Sequence, residues 1–122
     1  MNQASQDQAQ RDQRRKQRKP VDFDAVVTDV ITDQPFGRIG NLSATGMLLI
    51  SPTAPQDEAI YQLRLPLPDN GSGSGQVHID VGVQEQWHDQ AASADLIWAG
   101  YRIIAISDAD ATRLHAWLEQ PD

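Results

Sequence analysis

The sequence predicts an all-β fold, a six-stranded antiparallel β-barrel with a C-terminal α-helix. Six segments of strand-like apolar character lie between residues 21 and 106, and short turns rich in Gly, Pro, Asn and Asp separate them. One amphipathic segment of helical periodicity follows the last strand. Six strands of this length with short connections favour a sheet that closes on itself, with the helix packed outside it or across one end.

The strands are predicted at residues 21–31, 36–42, 47–50, 60–67, 77–87 and 96–106. The first should contain a bulge or twist near residues 28–29, and Pro66 places the end of the fourth at a sheet edge, because proline has no N–H to donate. The fifth shows the plainest period-2 alternation, which starts at Val77 and continues to Trp87. Gly100 predicts a bulge or bend in the sixth.

The helix is predicted to begin after Ser107 and to end near Glu119. Ser107 is a favourable N-cap residue, and Asp108 and Asp110 place negative charge in the first turn, where the helix dipole stabilises it. The apolar stripe that packs on the barrel consists of Leu114, Trp117 and Leu118.

The charges divide the chain into a basic arm and an acidic body. Six of the ten Lys and Arg residues lie between Arg11 and Lys19, whereas residues 20–122 hold four basic residues against fifteen acidic ones, a net charge of −11. Residues 1–10 are rich in Gln and lack apolar periodicity, which predicts a disordered tail. The predicted organisation is this tail at 1–10, a basic ligand-binding arm at 11–20, and a barrel with its C-terminal helix at 21–122.

The composition argues against several classes of protein. No apolar run reaches the 18 or so residues of a membrane helix, and the N-terminus has no apolar signal segment. The protein is therefore expected to be cytoplasmic and not inserted in a membrane. The absence of cysteine excludes a disulfide framework and any thiolate site.

Catalysis is not expected. The three histidines, His78, His88 and His115, have no His or carboxylate at a familiar ligand spacing, so no metal site is predicted. Ser43 lacks the Gly-x-Ser-x-Gly setting of a nucleophile. No cofactor is implied by these residues.

Two polar segments remain, and each has an ordinary structural interpretation. A short Lys/Arg run beside a polar tail is often only a solubilising segment. Asn, Ser and Gly are common in tight turns, because Asn and Ser bond back to the backbone and Gly allows positive φ. Their combination is more specific. Arg14-x-x-x-Arg18 precedes the first strand, and Asn41-x-Ser43-x-x-Gly46 follows the second.

With both motifs in this order, the chain resembles the PilZ domain family, bacterial receptors for cyclic di-GMP that are built on a six-stranded antiparallel barrel. The resemblance covers about residues 11–119. Weaker matches are the segments Leu63-Arg64-Leu65-Pro66 and Gly100-Tyr101-Arg102-Ile103. The resemblance implies a cyclic di-GMP site formed by Arg14, Arg18, Asn41, Ser43 and Gly46.

The register of the arginine motif stays open, because Arg11 and Arg15 have the same spacing as Arg14 and Arg18. Further candidate ligand-binding residues are Arg11, Arg15, Gly100 and Arg102.

The chemistry of the implied ligand suits these residue types. Guanidinium groups bind phosphate oxygens and the O6/N7 edge of guanine in a bidentate manner, and they stack on bases. Asn41 and Ser43 are expected to offer neutral donors and acceptors from a fixed turn, and Gly46 lets the backbone pass close without a side chain.

The resulting hypothesis is a receptor whose disordered basic arm is ordered by cyclic di-GMP and then signals to an unidentified partner protein. The alternative is a PilZ-like adaptor that does not bind cyclic di-GMP and acts through protein–protein contact. No DNA or RNA partner is expected, because the body is acidic and no aromatic residues lie among the basic ones.

Overall fold

The computed structural model describes residues 19–21, 25–68, 76–90 and 95–120. The predicted tail at 1–10, residues 11–18 of the arm and residues 69–75 of the Gly/Ser-rich loop lie outside this part of the chain. The elements are β1 Lys19–Pro20, β2 Val26–Asp29, β3 Gln34–Leu42, β4 Gly46–Ser51, β5 Ile60–Pro68, β6 Gln76–Gln90, β7 Ile97–Ile106 and the helix α1 Asp108–Leu118.

Antiparallel pairing closes six of these strands into a barrel, as the sequence predicted. The order around the barrel is β3-β2-β5-β6-β7-β4, and β4 pairs again with β3. Strand β1 pairs with the C-terminal end of β3, and β2 pairs with the rest of β3, so that β1 and β2 lie one after the other along the same edge of β3. Every backbone edge of the ring therefore has a neighbour, which is the usual way for an all-β domain to avoid exposed edge strands.

The first predicted strand is interrupted and ends earlier than the sequence indicated. Its β2 portion stops at Asp29, and the prediction that the strand reaches Ile31 is wrong. The Asp29 side chain explains this end, because its Oδ1 accepts the backbone N–H groups of Ile31 at 2.8 Å and Thr32 at 3.1 Å. The predicted irregularity near residues 28–29 is present as a register shift between Val27 and Thr28.

The core fills the barrel with the inward-facing residues of its strands. On β5 the buried positions include Leu63, Leu65 and Leu67, and on β6 they are continued by Ile79, Val81 and Val83. Their alternation confirms the period-2 pattern read from the sequence. Pro66 lies beyond Leu63 and Arg64, the two β5 residues that pair with β2. Proline has no N–H to donate, and at this position β5 has no described pairing with β2.

Helix α1 completes the core at one end of the barrel. Ser107 is its N-cap, and the Ser107 hydroxyl accepts the N–H of Asp110 at 3.1 Å. Leu114 and Trp117 are buried in the core, and Leu118 packs against it. The Asp110 carboxylate also accepts the N–H of Asp80 at 3.0 Å, which fixes the start of the helix to β6. Among the described residues, no helix has the length and apolar character to cross a membrane.

Strand β6 contains a bulge that the sequence did not predict there. Glu85 pairs with Tyr101 and Trp87 pairs with Gly100, so Gln86 is an extra residue between them. Glu85 is 2% exposed, whereas Trp87 is 48% exposed. The alternation therefore does not continue to Trp87. The last strand does contain an extra residue, but it is Ile104, between Ile103 and Ala105, and not Gly100.

Lys19, the last basic residue of the predicted arm, is fixed to the C-terminal end of α1. Its Nζ donates hydrogen bonds to the carbonyl oxygens of Trp117 at 2.7 Å and Gln120 at 3.0 Å. The same Nζ lies 4.3 Å from the centroid of the Trp117 ring. The Trp117 carbonyl also accepts the N–H of Gln120 at 3.2 Å, so the ammonium group is a second donor to it. A positive charge at this end of α1 also interacts favourably with the helix dipole.

Gly46→Ala should lower the free energy of unfolding by about 1–3 kcal/mol. A Cβ at this position would lie 2.5 Å from the carbonyl oxygen of Tyr101, and neither backbone can move without disturbing the pairing of β4 with β7. Urea denaturation measures the change. Gly40→Ala is the matched control, because its Cβ would meet only side-chain atoms of Leu48 and Ile50 at 3.4 and 3.5 Å. Equal losses in the two variants would contradict the explanation.

Lys19→Met should lower the free energy of unfolding by about 1–2 kcal/mol. Methionine keeps most of the apolar stem but removes the donor that the Trp117 and Gln120 carbonyls share. Thermal unfolding is compared with that of Arg113→Gln, which breaks the exposed pair with Asp110 on the same helix and should cost about 0.5 kcal/mol or less. The anchoring role of Lys19 is refuted if both variants unfold alike.

Candidate functional site

Strand β1 brings the C-terminal end of the basic arm beside the Asn41 motif. Lys19 pairs with Leu42, and Pro20 pairs with Asn41. The N–H of Val21 then donates to the carbonyl oxygen of Gly40 at 3.2 Å. The end of the arm and the motif are therefore neighbours in the sheet, although Arg11, Arg14, Arg15 and Arg18 lie outside the described residues.

Ser43 holds together the turn between β3 and β4. Its Oγ accepts the N–H groups of Gly46 at 3.1 Å and Thr45 at 3.3 Å, and it donates to the carbonyl oxygen of Gly46 at 3.2 Å. These three contacts use the whole hydrogen-bonding capacity of a hydroxyl group, and Ser43 is buried. In this structure the Ser43 hydroxyl positions the residues around it, and a contact between this hydroxyl and a ligand stays a prediction.

The turn is also fastened to β7. Gly46 pairs with Arg102, and the N–H of Ile103 donates to the carbonyl oxygen of Thr45 at 2.8 Å. Gly46 permits this approach, since a Cβ there would collide with the Tyr101 carbonyl. The close passage expected for Gly46 is present, and what it approaches is the backbone of β7.

Strand register defines an outer face of the barrel across β3, β4, β7 and β6. Residues paired across strands share one face of a sheet, so their side chains form rows. The rows are Arg38–Ile50–Trp98–Asp89, Asn41–Leu48–Gly100–Trp87, and Gly46–Arg102–Gln84. The middle row begins next to the end of the arm and finishes at Trp87.

Trp87 lies across Gly100 in the middle row of the outer face. Its indole occupies the space that a side chain at Gly100 would need, with the ring atom Cε2 2.7 Å from the position of a Cβ. Trp87 is still 48% exposed, and Trp98 in the neighbouring row is 43% exposed. The outer face therefore presents aromatic surface to solvent beside the partly exposed Leu48.

Two arginines lie on either side of this aromatic surface. Arg38 is at the end of the first row, Arg102 is in the third, and both are exposed. An apolar and aromatic centre with guanidinium groups beside it suits a flat ligand that carries negative charge, because rings stack on the centre and anionic groups pair with arginine.

The structure brings together part of the site that the sequence predicted and adds residues that the sequence did not indicate. Asn41, Gly46, Gly100 and Arg102 all contribute positions to the outer face. Trp87 was missed because its parity in the alternation assigned it to the interior. The signals against that assignment were the charged Glu85 at an inward position and the glycine at position 100.

A separate polar cluster lies on the inner side of β6 at the bulge. The extra residue puts Glu85 and His88 on the same side of the strand, with His88 Nδ1 2.8 Å from Glu85 Oε2. Asp57 Oδ1 is 3.7 Å from the same nitrogen. The backbone N–H of Glu58 donates to Glu85 Oε1 at 2.7 Å and, ahead of the contact with His88, holds the pKa of Glu85 below its usual range.

An open apolar cavity of about 650 Å³ lies at the other end of β3 and β4. Phe36 and Tyr61 line it with their ring centroids 4.7 Å apart, together with Pro52 and Pro55. The cavity shares Arg38 and Ile50 with the first row of the outer face, but its lining contains none of the motif residues Asn41, Ser43 and Gly46. The outer face, which carries Asn41 and Gly46, is therefore the candidate ligand site.

Comparisons with known proteins agree with this architecture. A solved structure of the Bacillus subtilis inhibitor of motility, MotI/DgrA, is similar with a TM-score of 0.67 and 15% sequence identity over 85% of this chain. The match spans about half of that protein, 49% of its chain, and at this identity it shows the fold alone. No curated protein matches the sequence.

The PilZ domain family model matches residues 12–120, which includes the end of the basic arm, the Asn41 motif, β7 and the helix. PilZ domains are binding and adaptor domains. Since the match extends over nearly the whole sequence, the chain belongs to the PilZ domain family.

Proposed function

We propose that this protein is a cyclic di-GMP receptor that binds the nucleotide on the outer face of the barrel, beneath its basic arm. The observation that carries the proposal is the pairing of Lys19 with Leu42 and of Pro20 with Asn41, which sets the end of the arm against the motif. Family membership supports the same ligand class. Neither a reaction nor a catalytic residue is part of this function.

The length of the arm suits the width of the outer face. Four neighbouring strands about 4.8 Å apart span roughly 14 Å from β3 to β6. Lys19 follows Arg14 by five positions, and an extended chain of that length reaches roughly 17 Å. Anchored at Lys19, the arm is long enough for Arg14 to reach any part of the middle row, and Arg18 directly precedes the anchor in sequence.

Each part of the proposed site has a separate role. Arg14 and Arg18 pair with the two phosphodiester groups or with guanine edges, which are the acceptors that a guanidinium fork matches best. Trp87 offers a ring on which a guanine stacks. Asn41 provides a polar side chain beside the arm, and Ser43 holds the turn in the conformation that presents it.

Ligand binding then fixes the arm over the outer face and creates a new surface. That surface, composed of arm, nucleotide and barrel, carries the signal to a partner protein. A partner in motility is the first class to examine, since the Bacillus subtilis protein of similar fold is named as an inhibitor of motility.

A second candidate function is that of an adaptor that acts without cyclic di-GMP. The hydrogen bonds of Ser43 and the packing of Gly46 favour it, because both motif residues have a structural role that needs no ligand. Exposed Trp87 and Trp98 would then belong to a protein interface, where tryptophan is enriched. Calorimetric titration with cyclic di-GMP distinguishes the two functions.

Arg18→Ala should weaken cyclic di-GMP binding about tenfold or more, because one charge-assisted bidentate contact contributes about 1.5–3 kcal/mol. Isothermal titration calorimetry compares Arg14→Ala and Arg18→Ala with Arg11→Ala and Arg15→Ala, and the pair with the larger loss gives the register of the motif. Arg64→Ala is the matched control, since Arg64 is an exposed arginine on β5 paired with Asp80 and lies outside the outer face.

The receptor function is overturned if the parent protein shows no binding at micromolar nucleotide, or if Arg18→Ala and Arg64→Ala bind equally well.

Trypsin digestion tests whether the nucleotide fixes the arm over the outer face. Nucleotide should slow cleavage after Arg14 and Arg18, whereas unchanged cleavage in a saturated complex would contradict this step.

Trp87→Ala should weaken cyclic di-GMP binding by about one order of magnitude or more, since a stacked base contributes about 1–3 kcal/mol. Cyclic di-GMP should also quench tryptophan fluorescence in the parent and leave that of Trp87→Phe nearly unchanged. The comparison variant is Ile31→Ala, which removes an exposed apolar side chain in the turn between β2 and β3, outside the outer face. Equal affinity in Trp87→Ala and the parent would exclude the stacking role.

A further inference from the structure

The cluster on the inner side of β6 has the composition and spacing of a metal site. Its members are Asp57, Glu85 and His88, and one ligand atom of each lies within 4.8 Å of the others. His88 Nδ1 is 2.8 Å from Glu85 Oε2 and 3.7 Å from Asp57 Oδ1. Atoms bound to one tetrahedral ion at about 2.0–2.1 Å lie roughly 3.3 Å apart, which falls between these two distances.

Tertiary structure creates this cluster from residues whose spacing in sequence suggests nothing. On a regular strand, residues three apart face opposite sides, but the extra Gln86 brings Glu85 and His88 to the same side. Asp57 comes from the loop before β5. That loop is held in place because Glu58 donates its N–H to Glu85, and Gln84 Nε2 donates to the Glu58 carbonyl at 3.1 Å.

We propose that Asp57, Glu85 and His88 bind a divalent transition-metal cation such as Zn²⁺. An imidazole and two carboxylates are ligands that Zn²⁺ commonly takes, whereas Mg²⁺ prefers a shell of oxygen ligands alone. The site goes beyond the cyclic di-GMP receptor function and does not depend on it.

The three side chains differ in exposure: Glu85 is buried and fixed, whereas Asp57 is exposed and gives an ion access to the site. The Glu85 side chain is 3% exposed, and its second oxygen is oriented by the Glu58 N–H, an outer-shell contact of the kind that supports metal ligands. Asp57 is 88% exposed at the side-chain level, so an ion reaches the cluster from its side. Rotation of this exposed carboxylate closes the longer 3.7 Å distance.

The charges balance when an ion binds. Two ionised carboxylates and a neutral imidazole carry a charge of −2, which a divalent cation neutralises. His88 must present the Nδ1 lone pair, so a proton on Nδ1 moves to Nε2, or is released if the ring is cationic. The hydrogen bond between His88 and Glu85 is thereby replaced by two bonds to the ion.

An ion in this site would also hold the β6 bulge in place. Trp87 lies between Glu85 and His88 in sequence and faces the opposite side of the strand. Binding the side chains of Glu85 and His88 to one ion would fix the backbone that presents the indole to the outer face.

The experiment is a calorimetric titration of the chelator-treated, full-length protein with ZnCl₂ at neutral pH, repeated with MgCl₂. We expect one Zn²⁺ per chain, a higher melting temperature with Zn²⁺, and at least tenfold weaker binding of Mg²⁺. Asp57→Asn and His88→Gln should each weaken Zn²⁺ binding tenfold or more. Asp57→Asn is the more informative variant, because its exposed side chain can be changed without disturbing the core.

His78→Gln and Asp95→Asn are the matched controls, since each removes an exposed residue of the same type outside the cluster. They should bind Zn²⁺ like the parent. The site is overturned if the parent binds no Zn²⁺ at 100-fold molar excess, or if Asp57→Asn and His88→Gln bind as tightly as the controls. Cyclic di-GMP titration of the same chelator-treated protein separates this outcome from failure of the receptor function.

Discussion

One extra residue in β6 decides how this barrel presents its chemistry. Without the bulge at Gln86, strict alternation would place Trp87 inside with Val83 and Glu85, and would turn His88 outward. The bulge reverses both side chains. It therefore exposes the aromatic ring of the outer face and also assembles the Glu85–His88 pair on the inner side. The two candidate sites of the protein therefore lie on opposite sides of β6, and the same bulge forms both.

The close approach of three strands makes the bulge compatible with a continuous outer face. Gly100 leaves room for the Trp87 indole to lie across β7, and Gly46 allows β4 to pass against the Tyr101 carbonyl. Larger residues at either position would separate the strands or push the indole away. The buried hydroxyl of Ser43 then fixes the turn beside Gly46. Two residues of the predicted ligand-binding motif therefore have a structural role. Gly46 allows the strands to pack closely, and Ser43 fixes the turn, both in the absence of a ligand.

Within the basic arm, Lys19 anchors the chain to the barrel, whereas Arg14 and Arg18 are the residues proposed to bind the ligand. Its ammonium group contacts the carbonyls of Trp117 and Gln120 at the C-terminal end of α1 and the Trp117 ring, so its charge stabilises the fold. In the proposed receptor, this anchor reduces the entropy that the arm loses on binding, because one end is already held beside Asn41. It also connects the arm to the helix, so that the two elements at this end of the barrel share a contact.

The sequence by itself determined the barrel, the capped helix and the two motifs, because these depend on local patterns. Apolar alternation, turn residues and an N-cap serine act over a few positions, and they predicted Leu63 to Leu67 inside and Ser107 at the helix start. Tertiary structure alone decided the rest. The direction of Trp87, the capture of Lys19 by residues about a hundred positions away, and the meeting of Asp57 with His88 depend on register and on long-range contacts. No periodicity in the chain encodes a one-residue shift between neighbouring strands, and that shift is what places Trp87 and His88.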